Sequence, residues 1–422
     1  MSIRLYAILV VILICKCLSA QSLTELINTA NYGSGSRQSA AEYLLGCKYM
    51  DGKEEVPKDP VKGFSWWKRS ANHGSAWGAY GVATCYRYGD GVAKNIYEAV
   101  KWFEFAAERY DNVEPKASMC SALELAKMYI WGDEISENLY KGIKYAKMAA
   151  FRGSPEGKYL YALCFSNGYG TQSDSVRAKI WANRAIDDKY YTAYWLLGNM
   201  YLYGTCVDKS EDKAIDYYKQ GDEKNEFNCQ YSLGKIYENH YAGLDLFMAL
   251  EYYERAANNG HSQAIVRLGI LYSDKDSEYY DLDKSIYWLE KKIEREDYSA
   301  WRLLMENYYA TSNTYKMNDL YSTMMEKANS SDLNELAYFY AKHNETPSNF
   351  VKAHAVIDRA IELSPTDYNY LDSKGEFYLI EGDEKKAFKI WKTILKNKPH
   401  FYDNPENLIG RSILNEHFGK QN

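Results

Sequence analysis

The sequence predicts an all-α fold, an α/α solenoid of about ten helical hairpins stacked one on the next. A small residue recurs every 32 to 43 residues, at Gly46, Ala83, Ala126, Ala162, Gly198, Gly234, Gly269, Ala337 and Gly375, with Met305 in the same register. A large aromatic residue recurs with a matching period, at Trp66, Trp102, Tyr145, Trp181, Tyr217, Tyr252 and Trp288. Only 8 prolines occur in 422 residues, which favours long helices. Repetition at this period is typical of hairpins that bury their apolar side only against a neighbour.

The first twenty residues have the pattern of a secretory signal peptide. Arg4 precedes the apolar stretch 5–14, and residues 18–20 (LSA) are an imperfect cleavage site because Leu18 is large. An uncleaved membrane anchor is the alternative, although the apolar run is short for a span of about 20 residues. We therefore expect a secreted or periplasmic protein, with the endoplasmic-reticulum lumen as an alternative. The membrane is expected as a partner only through this segment, if it is uncleaved.

Residues 21–38 are predicted to form an N-terminal segment and linker, because 32–36 (YGSGS) has the composition of a flexible linker. Ser39 and Glu42 then have the spacing of a capping box, which predicts that the first hairpin begins at residue 39.

Each repeat combines one recurring small residue, on its first helix, with one recurring aromatic residue, on its second helix. In the stretch 194–204, Leu197, Gly198 and Tyr201 share one face of a first helix, and Gly204 is placed to end it. In the second helix a ring precedes a small residue by four positions, as Trp102 precedes Ala106, so that the two pack on each other. The aromatic register is therefore predicted to be core.

This order of residues resembles the SEL-one-like repeat (SLR) family, a branch of the tetratricopeptide superfamily. The resemblance covers seven units over residues 39–292, and the second unit carries it through Tyr86, Gly89, Gly91, Val92, Ala99, Trp102, Ala106 and Ala107. It implies a right-handed superhelical solenoid and adaptor roles in secretory or cell-envelope pathways.

The C-terminal part departs from that pattern. Residues 293–331 predict a degenerate hairpin around Met305, and residues 332–399 are similar to two ordinary tetratricopeptide-like hairpins. Residues 400–422 predict a capping helix, because Asn404 and Pro405 are typical of a helix N-terminus.

Motifs for catalysis or metal binding are not found in the sequence. HExxH, CxxC, GxGxxG, Walker A and GxSxG patterns do not occur. The acidic stretch 274–283 has Tyr279 and Ser285 where a calcium-binding EF-hand loop needs Gly and Glu. We predict that the protein is not an enzyme and has no cofactor and no metal. The net charge of −6 disfavours nucleic acid as a partner.

Three S-x-x-K matches keep an alternative open. They begin at Ser65, Ser210 and Ser232, without the S-D-N and K-T-G motifs that penicillin-binding catalysis also needs. Secreted, cysteine-rich members of the resembled family are linked to penicillin-type ligands. An envelope protein that binds or hydrolyses a peptidoglycan-derived or β-lactam-like ligand is therefore one alternative function.

Six cysteines follow the signal segment, at Cys47, Cys85, Cys120, Cys164, Cys206 and Cys229. An oxidising compartment would permit a disulfide, and Cys47 and Cys85 are the best-placed pair for one. The alternative is that the cysteines are buried free thiols. Asn329 and Asn344 fit the N-glycosylation sequon, which matters only in a eukaryotic secretory pathway.

First helices line the concave face of such arrays, so a partner is expected there. Residues three positions before the small residue, or one and four after it, give a candidate partner-binding groove of Tyr43, Tyr80, Arg87, Tyr159, Trp195, Asn199, Tyr231 and Lys235. Rings beside polar groups suit recognition of a peptide or glycan, and packing between units is the alternative role of the aromatic positions.

The predicted function is a secreted or periplasmic scaffold or adaptor that binds a protein or peptide, with a glycan or peptidoglycan fragment as the alternative partner. An endoplasmic-reticulum adaptor in protein quality control is a further alternative.

Overall fold

Helices form nearly all of the chain that the structure describes. This computed structural model describes residues 22–52, 56–109, 114–239, 245–295, 297–343 and 347–401. These residues contain 21 α-helices and no strand, which confirms the predicted all-α solenoid. The signal segment 1–20 and nearly all of the capping helix predicted at 400–422 lie outside the described residues.

The chain divides into two compact units, which meet in sequence between His261 and Ser262. The described helices of the first unit are α1 (Leu23–Tyr32), α2 (Gly35–Asp51), α3 (Pro60–Asn72), α4 (Ala76–Tyr88), α5 (Ile96–Glu108), α6 (Pro115–Trp131), α7 (Leu139–Phe151), α8 (Pro155–Asn167), α9 (Ser175–Asp187), α10 (Thr192–Tyr203), α11 (Glu211–Asp222), α12 (Phe227–Glu238) and α13 (Leu246–Asn258). From α2 onward these helices pair into six hairpins, each packed against the next.

The second unit continues the same alternation. Its described helices are α14 (Ser262–Ser273), α15 (Leu282–Glu294), α16 (Trp301–Ala310), α17 (Thr314–Lys327), α18 (Ser330–Lys342), α19 (Pro347–Leu363), α20 (Tyr368–Ile380) and α21 (Glu384–Asn397). They form four hairpins, and Met305 of the degenerate one is completely buried.

Local chemistry determines both ends of the turn inside a hairpin, where the first helix stops and where the second helix starts. In the first five hairpins the first helix ends at a glycine with φ between 66° and 86°, a conformation that L-residues with a side chain rarely adopt. The second helix then begins at an Asp, Asn or Ser whose side chain accepts an N–H three residues on, as Asp59 accepts from Lys62 at 3.0 Å. These signals recur, so each unit adopts the same hairpin.

The glycines among the recurring small residues lie on first helices and face the second helix of their own hairpin. A Cβ at Gly198 would lie 2.3 Å from the Tyr218 ring, and one at Gly234 would lie 2.6 Å from the Tyr253 ring. The residue that fills the space is therefore one position after the predicted aromatic anchor. The anchors themselves are buried or half-buried, which agrees with their predicted place in the core.

The capping box predicted at Ser39 and Glu42 is wrong. Helix α2 already begins at Gly35, so Ser39 and Glu42 lie inside the helix and are buried, and only residues 33 and 34 separate α1 from α2. Glu42 is 0% exposed and binds Arg69 of α3 at 3.1 Å and His73 Nδ1, directly after α3, at 2.7 Å. The capping box of this region is instead formed by Ser22 and Glu25 at the start of α1.

The six cysteines of the described residues are free thiols, including Cys47 and Cys85. Burial raises the pKa of Cys85 and of Cys164 to about 12. These two thiols are therefore protonated and unreactive at neutral pH.

Candidate partner-binding site

The eight predicted groove residues all lie on first helices of the first unit. Helices α2, α4, α6, α8, α10 and α12 each contact the next one in this series, and we call them the first-helix layer. The structure separates the predicted residues into four groups along this layer, and the groups differ in what their side chains contact.

An aromatic cluster occupies the start of the layer. The Tyr43 ring stacks on Trp67 and Trp77, with centroids 6.3 Å and 5.9 Å away. Tyr80 packs edge-on against Trp77 and Phe103, and burial raises its pKa to about 12. Tyr43 and Tyr80 are half-buried, so their rings mainly fill space between helices, which is the packing role considered as the alternative.

Arg87 is held by two carboxylates of the next hairpin. It lies 2.8 Å from Glu124 and 2.6 Å from Glu134. Lys127 continues this row by lying 3.8 Å from Glu124 and 2.7 Å from Glu156 of α8. The charge ladder formed by Arg87, Glu124, Lys127 and Glu156 therefore joins α4, α6 and α8, and its cations are neutralised within the chain.

Tyr159 and Asn199 are also engaged internally. Tyr159 is 8% exposed, packs against Tyr190 at 5.3 Å between centroids, and has a pKa raised by burial. Asn199 accepts a hydrogen bond of 2.6 Å from the Tyr218 hydroxyl on α11. Both residues stabilise the hairpins that carry them.

The end of the layer contains an open cavity of about 470 Å³ between α10 and α12. It is lined by Leu202, Tyr203, Lys209, Ser232, Lys235, Ile236 and Asn239. The Trp195 ring nitrogen donates to Ser232 Oγ at 3.2 Å and so ties the two helices together beside the cavity. Lys235 is exposed, and no carboxylate of the described residues lies within ion-pair distance of it.

Tyr231 lies one turn before Lys235 and supports the same region. Its ring stacks on His261, with centroids 4.1 Å apart and planes inclined by 17°. Burial lowers the His261 pKa to about 4, so this imidazole is neutral at physiological pH. Of the predicted residues, Lys235 thus lines the cavity, and Trp195 is tied to it through Ser232.

The sequence also matches the family model of the Sel1 repeat. The match covers seven stretches, residues 39–75, 78–111, 121–154, 155–190, 192–221, 228–261 and 262–294. The chain belongs to the Sel1 repeat family. The predicted SLR resemblance is therefore confirmed. The Sel1 repeat fold is that of a protein-binding repeat scaffold and is typically non-catalytic.

Solved structures similar to this Sel1 repeat chain include a protective antigen of uropathogenic Escherichia coli strains that displays an SLR fold. The two share 22% sequence identity over 93% of this chain and 82% of the antigen, with a TM-score of 0.46. A Sel1 repeat protein from Oxalobacter formigenes shares 21% identity over 59% of this chain and 96% of its own length, with a TM-score of 0.45.

Residues of the three S-x-x-K matches make contacts that stabilise the helices. The Ser210 side chain caps α11 by accepting the Lys213 N–H, and Ser232 accepts from Trp195. Lys68 lies over the Trp102 ring at 4.0 Å, and burial lowers its pKa. Within the described residues no group of three or more His, Cys, Asp or Glu side chains is placed to hold a metal ion.

Sequence reasoning missed the α10–α12 cavity residues Leu202, Tyr203, Lys209, Ser232, Ile236 and Asn239. Tyr203 is the exposed residue directly before the helix-ending Gly204, and the same place in other hairpins holds exposed Tyr88 and Trp131. That recurrence is a signal that the sequence alone contains.

Proposed function

We propose that this protein is a secreted or periplasmic scaffold that binds a protein or peptide partner on its first-helix layer, at the cavity between α10 and α12. The cavity carries this proposal, because the predicted groove residue Lys235 lines it and Trp195 donates a hydrogen bond to Ser232 in its wall. Leu202, Ile236 and the Tyr203 ring offer apolar surface for a partner side chain. The Lys235 ammonium at the rim is available to carbonyl or carboxylate oxygens of the same partner.

The binding test uses a partner recovered by affinity purification from native cells and then produced in pure form. Trp195→Ala combined with Lys235→Glu is expected to weaken its binding at least tenfold in calorimetry, because the hydrogen bond by which Trp195 positions Ser232 at the cavity and a cationic contact are lost together. Tyr159 is not substituted, since it is buried and its loss would disturb the fold.

The matched control replaces an exposed aromatic residue and an exposed lysine on second helices, Tyr97→Ala with Lys219→Glu. This variant should bind as wild type does. Circular dichroism should show unchanged helicity in both variants. A helical Trp195→Ala/Lys235→Glu protein with wild-type affinity would contradict the proposed site.

The proposed location is supported by the residue pattern at 1–20 alone. Helices in the described part of the chain are all too short or too polar to cross a bilayer. We expect the protein produced in its native host to begin near residue 21 when its N-terminus is sequenced, and to fractionate with the periplasm, the medium or the secretory lumen. An intact Met1 on a cytosolic protein would exclude this location.

A further inference from the structure

Two neighbouring second helices of the first unit differ in charge from those on either side. Helix α7 contains three lysines and no acidic residue, and α9 contains two arginines, one lysine and a single terminal Asp187. The flanking second helices are acidic, since α5 has three glutamates against one lysine, and α11 has four acidic residues against two lysines. Helices α7 and α9 therefore form a local basic surface in a chain whose net charge is −6.

Two cations of this surface lie over aromatic rings. Lys147 lies over the Phe151 ring at 5.9 Å, and Arg184 lies over the Trp181 ring at 4.5 Å. Both cations are exposed, and no carboxylate of the described residues is within ion-pair distance of either. The nearby Lys144, by contrast, is paired with Glu108 at 3.0 Å.

Exposed apolar groups lie between these cations. The Phe151 and Trp181 rings are in contact across the two helices, with centroids 5.1 Å apart. Phe151 is 67% exposed and Ile180 is 46% exposed, although both are large apolar side chains. A cavity of about 520 Å³ opens beside Phe151, lined by Lys144, Lys147, Met148, Phe151 and Arg152.

We propose that this basic–aromatic face, formed by Lys144, Lys147, Met148, Phe151, Arg152, Ile180 and Arg184, binds an acidic peptide segment of a protein partner. Carboxylates of the segment pair with Lys147 and Arg184, and an apolar side chain between them packs on the exposed Phe151 ring. Opposite charge brings the partner in and fixes its register, and burial of the apolar side chain holds it.

The geometry favours a peptide over an anionic lipid surface. The Phe151 ring contacts the Trp181 ring, and Lys147 lies over the first ring and Arg184 over the second. One apolar side chain between two carboxylates matches this arrangement. An extended anionic surface would also meet the acidic helices α5 and α11, whereas a short peptide lies within about 10 Å of the basic helices, the distance over which charges act at ordinary salt.

This face is separate from the cavity of the proposed function. It is built from second helices α7 and α9, while that cavity is built from first helices α10 and α12. The protein would therefore hold two partners at once, as a scaffold does.

The test measures binding of a fluorescein-labelled synthetic peptide, a run of glutamates interrupted by one central phenylalanine, to the full chain by anisotropy. Lys147→Glu with Arg184→Glu is expected to weaken binding at least tenfold, and added salt is expected to weaken the wild-type complex. Replacing the peptide's phenylalanine with alanine is expected to weaken binding several-fold. Lys58→Glu with Lys219→Glu is the control, because it makes the same change in net charge at exposed positions elsewhere in the first unit.

Equal binding by the Lys147→Glu/Arg184→Glu variant, or by a lysine-rich peptide, would overturn the proposal. So would wild-type protein that binds phosphatidylserine-rich vesicles and leaves the peptide unbound. Loss of binding in the control variant to the same extent would show a non-specific charge effect and also overturn it. Phe151→Ala, checked for helicity, should reproduce the effect of removing the phenylalanine from the peptide.

Discussion

Gly198→Ala is expected to destabilise the fifth hairpin by about 2 kcal/mol. Its new methyl group would lie 2.3 Å from a carbon of the Tyr218 ring, which is completely buried and bonded through its hydroxyl to Asn199. Overpacking of this kind costs about 1–3 kcal/mol, and the upper end applies because the pinned ring cannot turn aside. Alanine's better helix propensity offsets about 1 kcal/mol of the cost.

A double-substitution cycle distinguishes this steric effect from a general loss of stability. Tyr218→Leu alone should also destabilise the protein, because it removes ring contacts. In the Gly198→Ala background it should cost much less, since the smaller side chain relieves the clash. Urea unfolding followed by circular dichroism, with hydrogen exchange of α10 and α11, measures the coupling. Strictly additive effects would show that the two residues do not oppose each other.

Asp297→Asn is expected to lower the stability of the second unit by about 2 kcal/mol at pH 7. Lys292 is only 4% exposed and lies 2.7 Å from the Asp297 carboxylate, which also accepts from Ser262 and Ser299. Hydrogen bonds to a charged group contribute about 1.5–3 kcal/mol, and the partly exposed carboxylate places the value in the lower half of that range.

The stabilisation by the Asp297 carboxylate should be present at neutral pH and lost in acid. Burial tends to raise the Asp297 pKa, but the hydrogen bonds from Lys292, Ser299 and Ser262 outweigh it and hold the pKa well below its usual value. A lowered pKa in the folded state contributes stability above the unfolded value near 4, and that contribution is lost as the pH falls below it.

Thermal unfolding of the wild type and Asp297→Asn at several pH values checks this. The difference between them should be largest at neutral pH and shrink below about pH 4. Asp283→Asn is a suitable control, because no hydrogen bond to its side chain is found in the described residues. A gap that stays constant through acid pH would refute the assigned role of Asp297.

The periodic part of the fold could be predicted because its signals are local and recur. Gly204 ends α10, and Asp59 caps α3, through contacts within a few residues, so spacing alone locates them. The start of α2 could not be read in the same way. Ser39 and Glu42 have the spacing of a cap, but their burial against α3 comes from contacts with residues 31 positions away.

The candidate site also contains some contacts that the sequence predicts and others that it does not. Proximity of α10 to α12 follows from the repeat period, since the first helices of neighbouring hairpins lie side by side. The engagement of Arg87 does not, because its partners Glu124 and Glu134 lie in the next hairpin and nothing in the local sequence connects them with it. The exposed Phe151 ring was likewise not predicted, because the equivalent positions of the neighbouring repeats hold Glu108 and Asp187 and so give no recurring aromatic signal.

The charge ladder on α4, α6 and α8 also bears on how this array can evolve. Tandem arrays gain and lose whole units, and a missing unit normally brings equivalent surfaces together. Loss of the third unit would set Leu160 opposite Arg87 in place of Glu124, because the two positions are one period apart. That unit is therefore not interchangeable with its neighbours, and the number of repeats on this side of the molecule is constrained by electrostatics.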